Sequence, residues 1–204
     1  MREQCDLVSS VRGFKRYLAL RPEMRVTLNN GAEMPSWFDI TSLDPGTDSE
    51  DEQGMLRTVR SLNQIITEEV DSGIPAHRII IGGFSQGGAM SLLTGMTSER
   101  KLGGVVVMSG WLPLKNKFKA MLNDHARKLP IFWGHGKRDP VVRYQWADLS
   151  VAFLRNNIAI REATNDDVFG LEFHAYNNLM HSASDEEIDH LQAWLEKVIP
   201  EPST

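Results

Sequence analysis

The sequence predicts an α/β domain in which a mostly parallel sheet is flanked by helices. Three observations predict it. Short apolar runs rich in β-branched residues alternate along the chain with segments of helical period. The run at 105–108 is continuously hydrophobic, as in a strand buried on both faces. A cluster of small residues, GGFSQGG at 82–88, joins the apolar run at 79–82 directly to a helical stretch.

The first helix should follow the polar stretch LDPGTDSEDEQG (43–54), itself expected to be an exposed loop. Met55, Val59, Leu62 and Ile66 share one face, Asp51 and Glu52 stand at the positive end, and Gly73 and Pro75 stop the helix. A strand over 79–82, a second helix over 86–96 and a strand over 105–108 come next. Ile131, Phe132 and Trp133 offer a third strand, 146–154 a helix, and 171–176 a fourth strand. Ser184 should cap a last helix, with Glu187 completing a capping box, and Ile188, Leu191, Trp194 and Val198 form its apolar stripe.

The 204 residues are 41% hydrophobic and contain no repeat, low-complexity tract or linker, so one domain over 1–204 is expected. A net charge of -5 spread over scattered acids and bases argues against nucleic acid as a partner. The single cysteine, Cys5, excludes an internal disulfide framework and a thiolate metal cluster. No apolar run nears the roughly 20 residues that cross a bilayer, and MREQCDLVSS is too charged for a secretory signal. A soluble intracellular protein is the expectation. In residues 7–18, Leu7, Val11, Phe14 and Leu18 align beside Arg12, Lys15 and Arg16. A core-packed helix or strand is expected there, with a membrane-surface or transit helix as the alternative.

The chemistry centres on Gly83-Phe84-Ser85-Gln86-Gly87, a G-x-S-x-G pattern set between a strand and a helix. A sharp turn there lifts a serine hydroxyl above the sheet and aims the backbone N–H of Gln86 at a developing oxyanion. A serine needs a base, and the base an orienting acid. Asp139 follows the third strand in WGHGKRDPVV, and His181 follows the fourth in YNNLMHSAS. Ser85, Asp139, His181 is the chain order of α/β-hydrolases, each residue after a separate strand. His135 is an alternative base but is expected to pack against its strand end, and His174 to be a satisfied structural histidine. His77, His125 and His190 read as surface residues. A metal site from His135, Asp139 and His181 would leave the serine turn unexplained, so none is expected.

The stretches VTLNNGAEMPSWFDI, RIIIGGFSQGGAMSL, MSGWLPL, GHGKRDPVV and MHSASDEE together resemble the acyl-protein thioesterases, within the phospholipase/carboxylesterase group of α/β-hydrolases. The resemblance runs from about Arg25 to the C-terminus. It implies hydrolysis of fatty-acyl thioesters on S-acylated protein cysteines, with side activity on lysophospholipids and small esters. It implies Ser85 as nucleophile, Asp139 as acid and His181 as base, no cofactor, at most transient contact with membrane surfaces, and a cytoplasmic location with the nucleus also open. Trp37, Phe38, Trp111, Leu112 and Leu179 become candidates for an apolar acyl channel, or simply for core. A catalytically impaired remnant that binds acyl chains or a protein partner is the rival reading, and an esterase for small soluble esters a third. Oligomeric state is not written in the sequence.

The chain departs from the family pattern in three places. Asn178 and Leu179 stand where the family usually has Gly-Met, and Asn178 is expected to supply a left-handed turn. Lys137 replaces the family's first acidic residue after His-Gly. Nothing between Met1 and Arg25 matches the family's His-Gly-x-Gly-Asp loop, which supplies a second oxyanion donor at the end of a strand inside the sheet. The expectation is an N-terminal region (1–24) that is truncated or divergent, with residues 16–20 pairing in the vacant lane or the sheet interrupted as alternatives.

Overall fold

Apolar runs too short for helices assemble into a parallel sheet, because each can bury both faces only between two helical layers. The computed structural model describes residues 19, 21–42, 50–164 and 166–200. The expectations for 7–18, for 16–20 as a pairing segment and for the oxyanion loop fall outside the described residues, apart from single positions. In chain order the elements are β1 (Glu23–Val26), β2 (Ala32–Pro35), α1 (Glu52–Asp71), β3 (Ile80–Phe84), α2 (Gln86–Thr97), β4 (Gly104–Met108), α3 (Lys115–Met121), β5 (Pro130–Gly136), α4 (Tyr144–Phe153), β6 (Gly170–Tyr176) and α5 (Asp185–Val198). A π-helical turn over Leu154–Ile158 extends α4.

The strands β3, β4, β5 and β6 lie side by side in that order, all parallel. Alternate residues divide between two cores. Val105, Val107, Ile131, Trp133 and Leu171 join Met55, Val59 and Leu62 of α1, Met90, Leu93 and Met96 of α2 and Val151 of α4. Val106 and Phe132 face the other way, onto Leu191, Trp194 and Leu195 of α5.

The sequence expectation of a strand over 131–133 stops short of β5, which runs on through Gly134, His135 and Gly136. These residues look like loop, yet all are buried, because their backbone pairs with His174, Ala175 and Tyr176 of β6. The antiparallel hairpin β1–β2 and the short helix α3 carry no apolar period to announce them: β2 is exposed throughout and only Phe118 of α3 is buried.

The capping box at α5 is half formed. Ser184 Oγ accepts from the N–H of Glu187 at 3.2 Å, but the Glu187 carboxyl turns inward and both its oxygens lack a hydrogen-bond partner. It packs instead over Gly134, where an added Cβ would lie 2.1 Å from Oε1. Burial raises its pKa to about 7. Asn178 is another correction: among the described residues the non-glycine positive φ values belong to Asn30, Ser85, Ser109, Leu114 and Ala159.

Candidate active site

The turn from β3 into α2 is made by residues chosen for what they lack. Ser85, the N-cap of α2, holds φ 55° and ψ −121°, a region few side chains enter. A Cβ on Gly83 would sit 2.4 Å from the carbonyl carbon of Gly87, so only glycine lets strand and helix meet this closely. The hydroxyl is thereby held at the carboxyl end of the sheet, where the first N–H groups of α2 have no helical acceptor.

The end of β5 delivers the carboxylate. Asp139 Oδ1 accepts the N–H groups of Val141 at 2.8 Å and Val142 at 2.9 Å, leaving Oδ2 for a third donor. That donor is His181 Nδ1, at 2.7 Å. The loop after β6 reaches this point by lying over the end of β5: Arg138 N–H donates to Leu179 O at 3.1 Å and Lys137 N–H to Tyr176 O at 2.8 Å. The far nitrogen, His181 Nε2, stands 3.0 Å from Ser85 Oγ. Phe84 packs against the imidazole with ring centroids 4.7 Å apart. The acid side chain is fully buried, whereas 19% of the histidine side chain remains exposed. Such a line can pass the serine proton to the imidazole while the carboxylate steadies the resulting cation.

The Gln86 side chain is fully engaged. Its side-chain Oε1 accepts from Trp37 N–H at 2.8 Å, and its Nε2 donates to Phe38 O at 2.9 Å and to Ser36 Oγ at 3.0 Å. The 36–38 segment is so tied to the start of α2, and Asp39 pins it to the hairpin by accepting from Thr27 N–H and Oγ–H. Nothing in a single sequence marks a side-chain strap of this kind, beyond the presence of both PSWFD and FSQGG.

The five predicted acyl-contact residues divide. Phe38 and Leu112 are buried in the main core, Trp37 and Trp111 are half-buried against it, and Trp111 meets Phe38 edge-on at 6.2 Å. Leu179 is buried in the loop that leads to His181. A cavity of about 240 Å³, bounded by Lys119, Arg127 and Asn157 among others, shares no residue with this set or with the Ser85 line. His135 is wholly buried and donates Nε2–H to Val142 O at 2.8 Å. His174 pairs with Glu172 Oε1 at 2.8 Å. His190 is not a free surface residue: it stacks on His174 at 4.5 Å and bonds the Tyr176 hydroxyl at 3.1 Å. His125 is half-buried and only His77 is exposed.

A serine raised on a strand-to-helix turn, hydrogen-bonded to a histidine and through it to a carboxylate, both on loops that follow later parallel strands, defines a serine hydrolase of the α/β-hydrolase fold. The chain matches the phospholipase/carboxylesterase family over residues 18–199 and belongs to it. It is 45% identical over 194 residues to acyl-protein thioesterase 1 of Cryptococcus neoformans var. neoformans serotype D, covering 93% of this chain and 82% of that protein. Acyl-protein thioesterase 1 of Mycosarcoma maydis is 43% identical over 187 residues, covering 88% and 75%. Among solved structures, Arabidopsis thaliana SOBER1 aligns with a TM-score of 0.83 at 31% identity, over 96% of this chain and 89% of that one. Zea mays acyl-protein thioesterase 2 aligns with a TM-score of 0.73 at 26% identity, over 88% and 79%.

Proposed function

We propose that this serine hydrolase cleaves fatty-acyl thioesters from S-acylated protein cysteines, with acyl lipids and small carboxylic esters as further substrates. The observation that carries the reading is the unbroken line Ser85 Oγ, His181 Nε2, His181 Nδ1, Asp139 Oδ2, with steps of 3.0 Å and 2.7 Å. Relatives named acyl-protein thioesterase supply the substrate class.

In this reading His181 Nε2 takes the Ser85 proton as Oγ attacks the acyl carbonyl. The oxygen that gains the negative charge faces the Gln86 N–H at the start of α2, where the helix dipole favours it. Collapse breaks the C–S bond, and His181 returns the proton to the departing thiolate. Water then enters, gives its proton to His181 and attacks the Ser85 ester, and the fatty acid leaves as the serine is reprotonated. Asp139 keeps its charge throughout and stabilises the imidazolium. Trp37, Phe38, Trp111, Leu112 and Leu179 are assigned to the acyl side of the site, where the strap from Gln86 supports the first two. Substrates anchored by acyl chains imply transient contact with membrane surfaces, and we assign the protein to the cytoplasm, with the nucleus as an additional site. No helix among the described residues is long and apolar enough to cross a membrane.

A fluorophosphonate probe should label the wild type and leave Ser85→Ala unlabelled, and an S-palmitoylated peptide should lose its acyl group only with the wild type. Equal labelling of both proteins would overturn the assignment of the nucleophile. Turnover of short p-nitrophenyl esters without turnover of the acylated peptide would overturn the substrate class.

A further inference from the structure

The buried imidazole of His135 has no part in the proton path, yet it closes the frame that holds the acid. Asp139 Oδ1 depends on the N–H groups of Val141 and Val142. Val142 is in turn fixed from its other side, where its carbonyl receives the proton of His135 Nε2 at 2.8 Å. A carbonyl can only accept, so Nε2 is protonated, and Nδ1 has no partner and no contact with water, so a second proton there would be buried without an acceptor. The ring sits at the end of β5, the strand whose following turn carries Asp139, and its Nε2 lies 3.7 Å from Asp139 Oδ2. Tyr144 of α4 stands edge-on to it at 6.2 Å.

We propose that His135 is a positioning residue for the triad acid: as a neutral imidazole it anchors the 139–142 turn through Val142 O and aims Asp139 Oδ2 at His181. The inference rests on the reading of Ser85, His181 and Asp139 as the reacting line. Neutrality matters as much as the bond. A cation 3.7 Å from Oδ2 would compete with His181 for the one charge that stabilises the imidazolium. Burial is the largest influence on His135 and lowers its pKa; the hydrogen bond to Val142 O and the charge of Asp139 each raise it less, and His181 lowers it least. The titratable groups that face the ring are therefore Asp139 and His181 at the site and Tyr144 from α4.

The test compares His135→Phe, which keeps the ring's bulk and removes both nitrogens, with His135→Gln, which keeps an N–H donor. Activity on a short p-nitrophenyl ester is normalised to sites titrated by fluorophosphonate. His135→Phe should lower kcat about 10- to 100-fold with KM within about twofold, as expected when a reacting group is displaced but binding is not. Its pH–rate profile should move its acidic limb to lower pH, because a misaimed carboxylate stabilises the imidazolium less. His135→Gln should recover much of kcat and of the profile. Should His135→Phe fail to fold, His135→Gln alone decides: activity within about fivefold of wild type with an unmoved acidic limb supports the proposal, and a larger loss overturns it. Unchanged kcat per titrated site in folded His135→Phe, or a loss with an unmoved pH profile, overturns it too. If Ser85→Ala still turns over the ester, it is the hydrolase line itself that fails, whatever His135 does.

Discussion

Ser85 keeps an unfavourable backbone conformation, of a kind that costs about 1–3 kcal/mol, because the strand before it and the helix after it leave no alternative path. Gly83 is the residue on which that apposition turns. In Gly83→Ala the methyl carbon would fall 2.4 Å from Gly87 C and 2.6 Å from Gly87 O, and neither backbone group can yield without moving the hydroxyl. We expect a loss of about 1–3 kcal/mol or more in stability, read from thermal melts, and slower fluorophosphonate labelling of the folded fraction. Wild-type melting and labelling would show that β3 and α2 have room to spare. The serine turn was legible in the sequence for this same reason, since Gly83 admits no side chain and its spacing to Ser85 is local. Asp139 and His181 were legible through order and strand context. His135 and the Gln86 strap were not, because their partners are the Val142 carbonyl and the backbone and hydroxyl groups of 36–38, which no spacing rule encodes.

Helix α5 shows how a local rule can be half obeyed. Ser184 caps it as its sequence promises, but Glu187 is drawn into the space that Gly134 leaves on β5, a tertiary vacancy invisible in the helix's own sequence. The strand β5 hid for a related reason: Gly134, His135 and Gly136 are ordered by pairing to β6 rather than by their side chains. The buried carboxyl has a consequence for stability. The folded protein keeps the Glu187 proton up to about pH 7, whereas the unfolded chain releases it near the ordinary 4.5. Folding therefore holds a proton that the unfolded state has lost, and stability falls as pH rises from about 4.5 to about 7, by about 3 kcal/mol once ionisation is complete. Glu187→Gln removes this dependence. The melting temperature of the variant relative to wild type should be higher at pH 8.5 than at pH 5.5 by several degrees. A difference that is the same at both pH values would mean that the carboxyl finds a partner or reaches water when charged.

At the scale of the molecule the two cores are unequal, and the smaller one carries part of the site. Among the described residues the layer that receives Val106 and Phe132 is built by α5 alone, through Leu191, Trp194 and Leu195, whereas α1, α2, α3 and α4 share the other. The loop bearing His181 runs straight into α5, with only residues 182–184 between the imidazole and the first helical turn. Loosening α5 should thus withdraw His181 from Ser85 and Asp139 before the sheet and the larger core give way. Trp194 is the place to test this, since it is 1% exposed and its ring packs on Phe132 at a centroid distance of 6.0 Å. Trp194→Ala should cost about 3–5 kcal/mol of local packing. In that variant esterase activity should be lost at a lower temperature than far-UV ellipticity, and α5 amides should exchange faster than those of α2. Coincident loss of activity and ellipticity, with α5 and α2 exchanging together, would mean that α5 unfolds only with the whole domain and that the two layers are one cooperative unit.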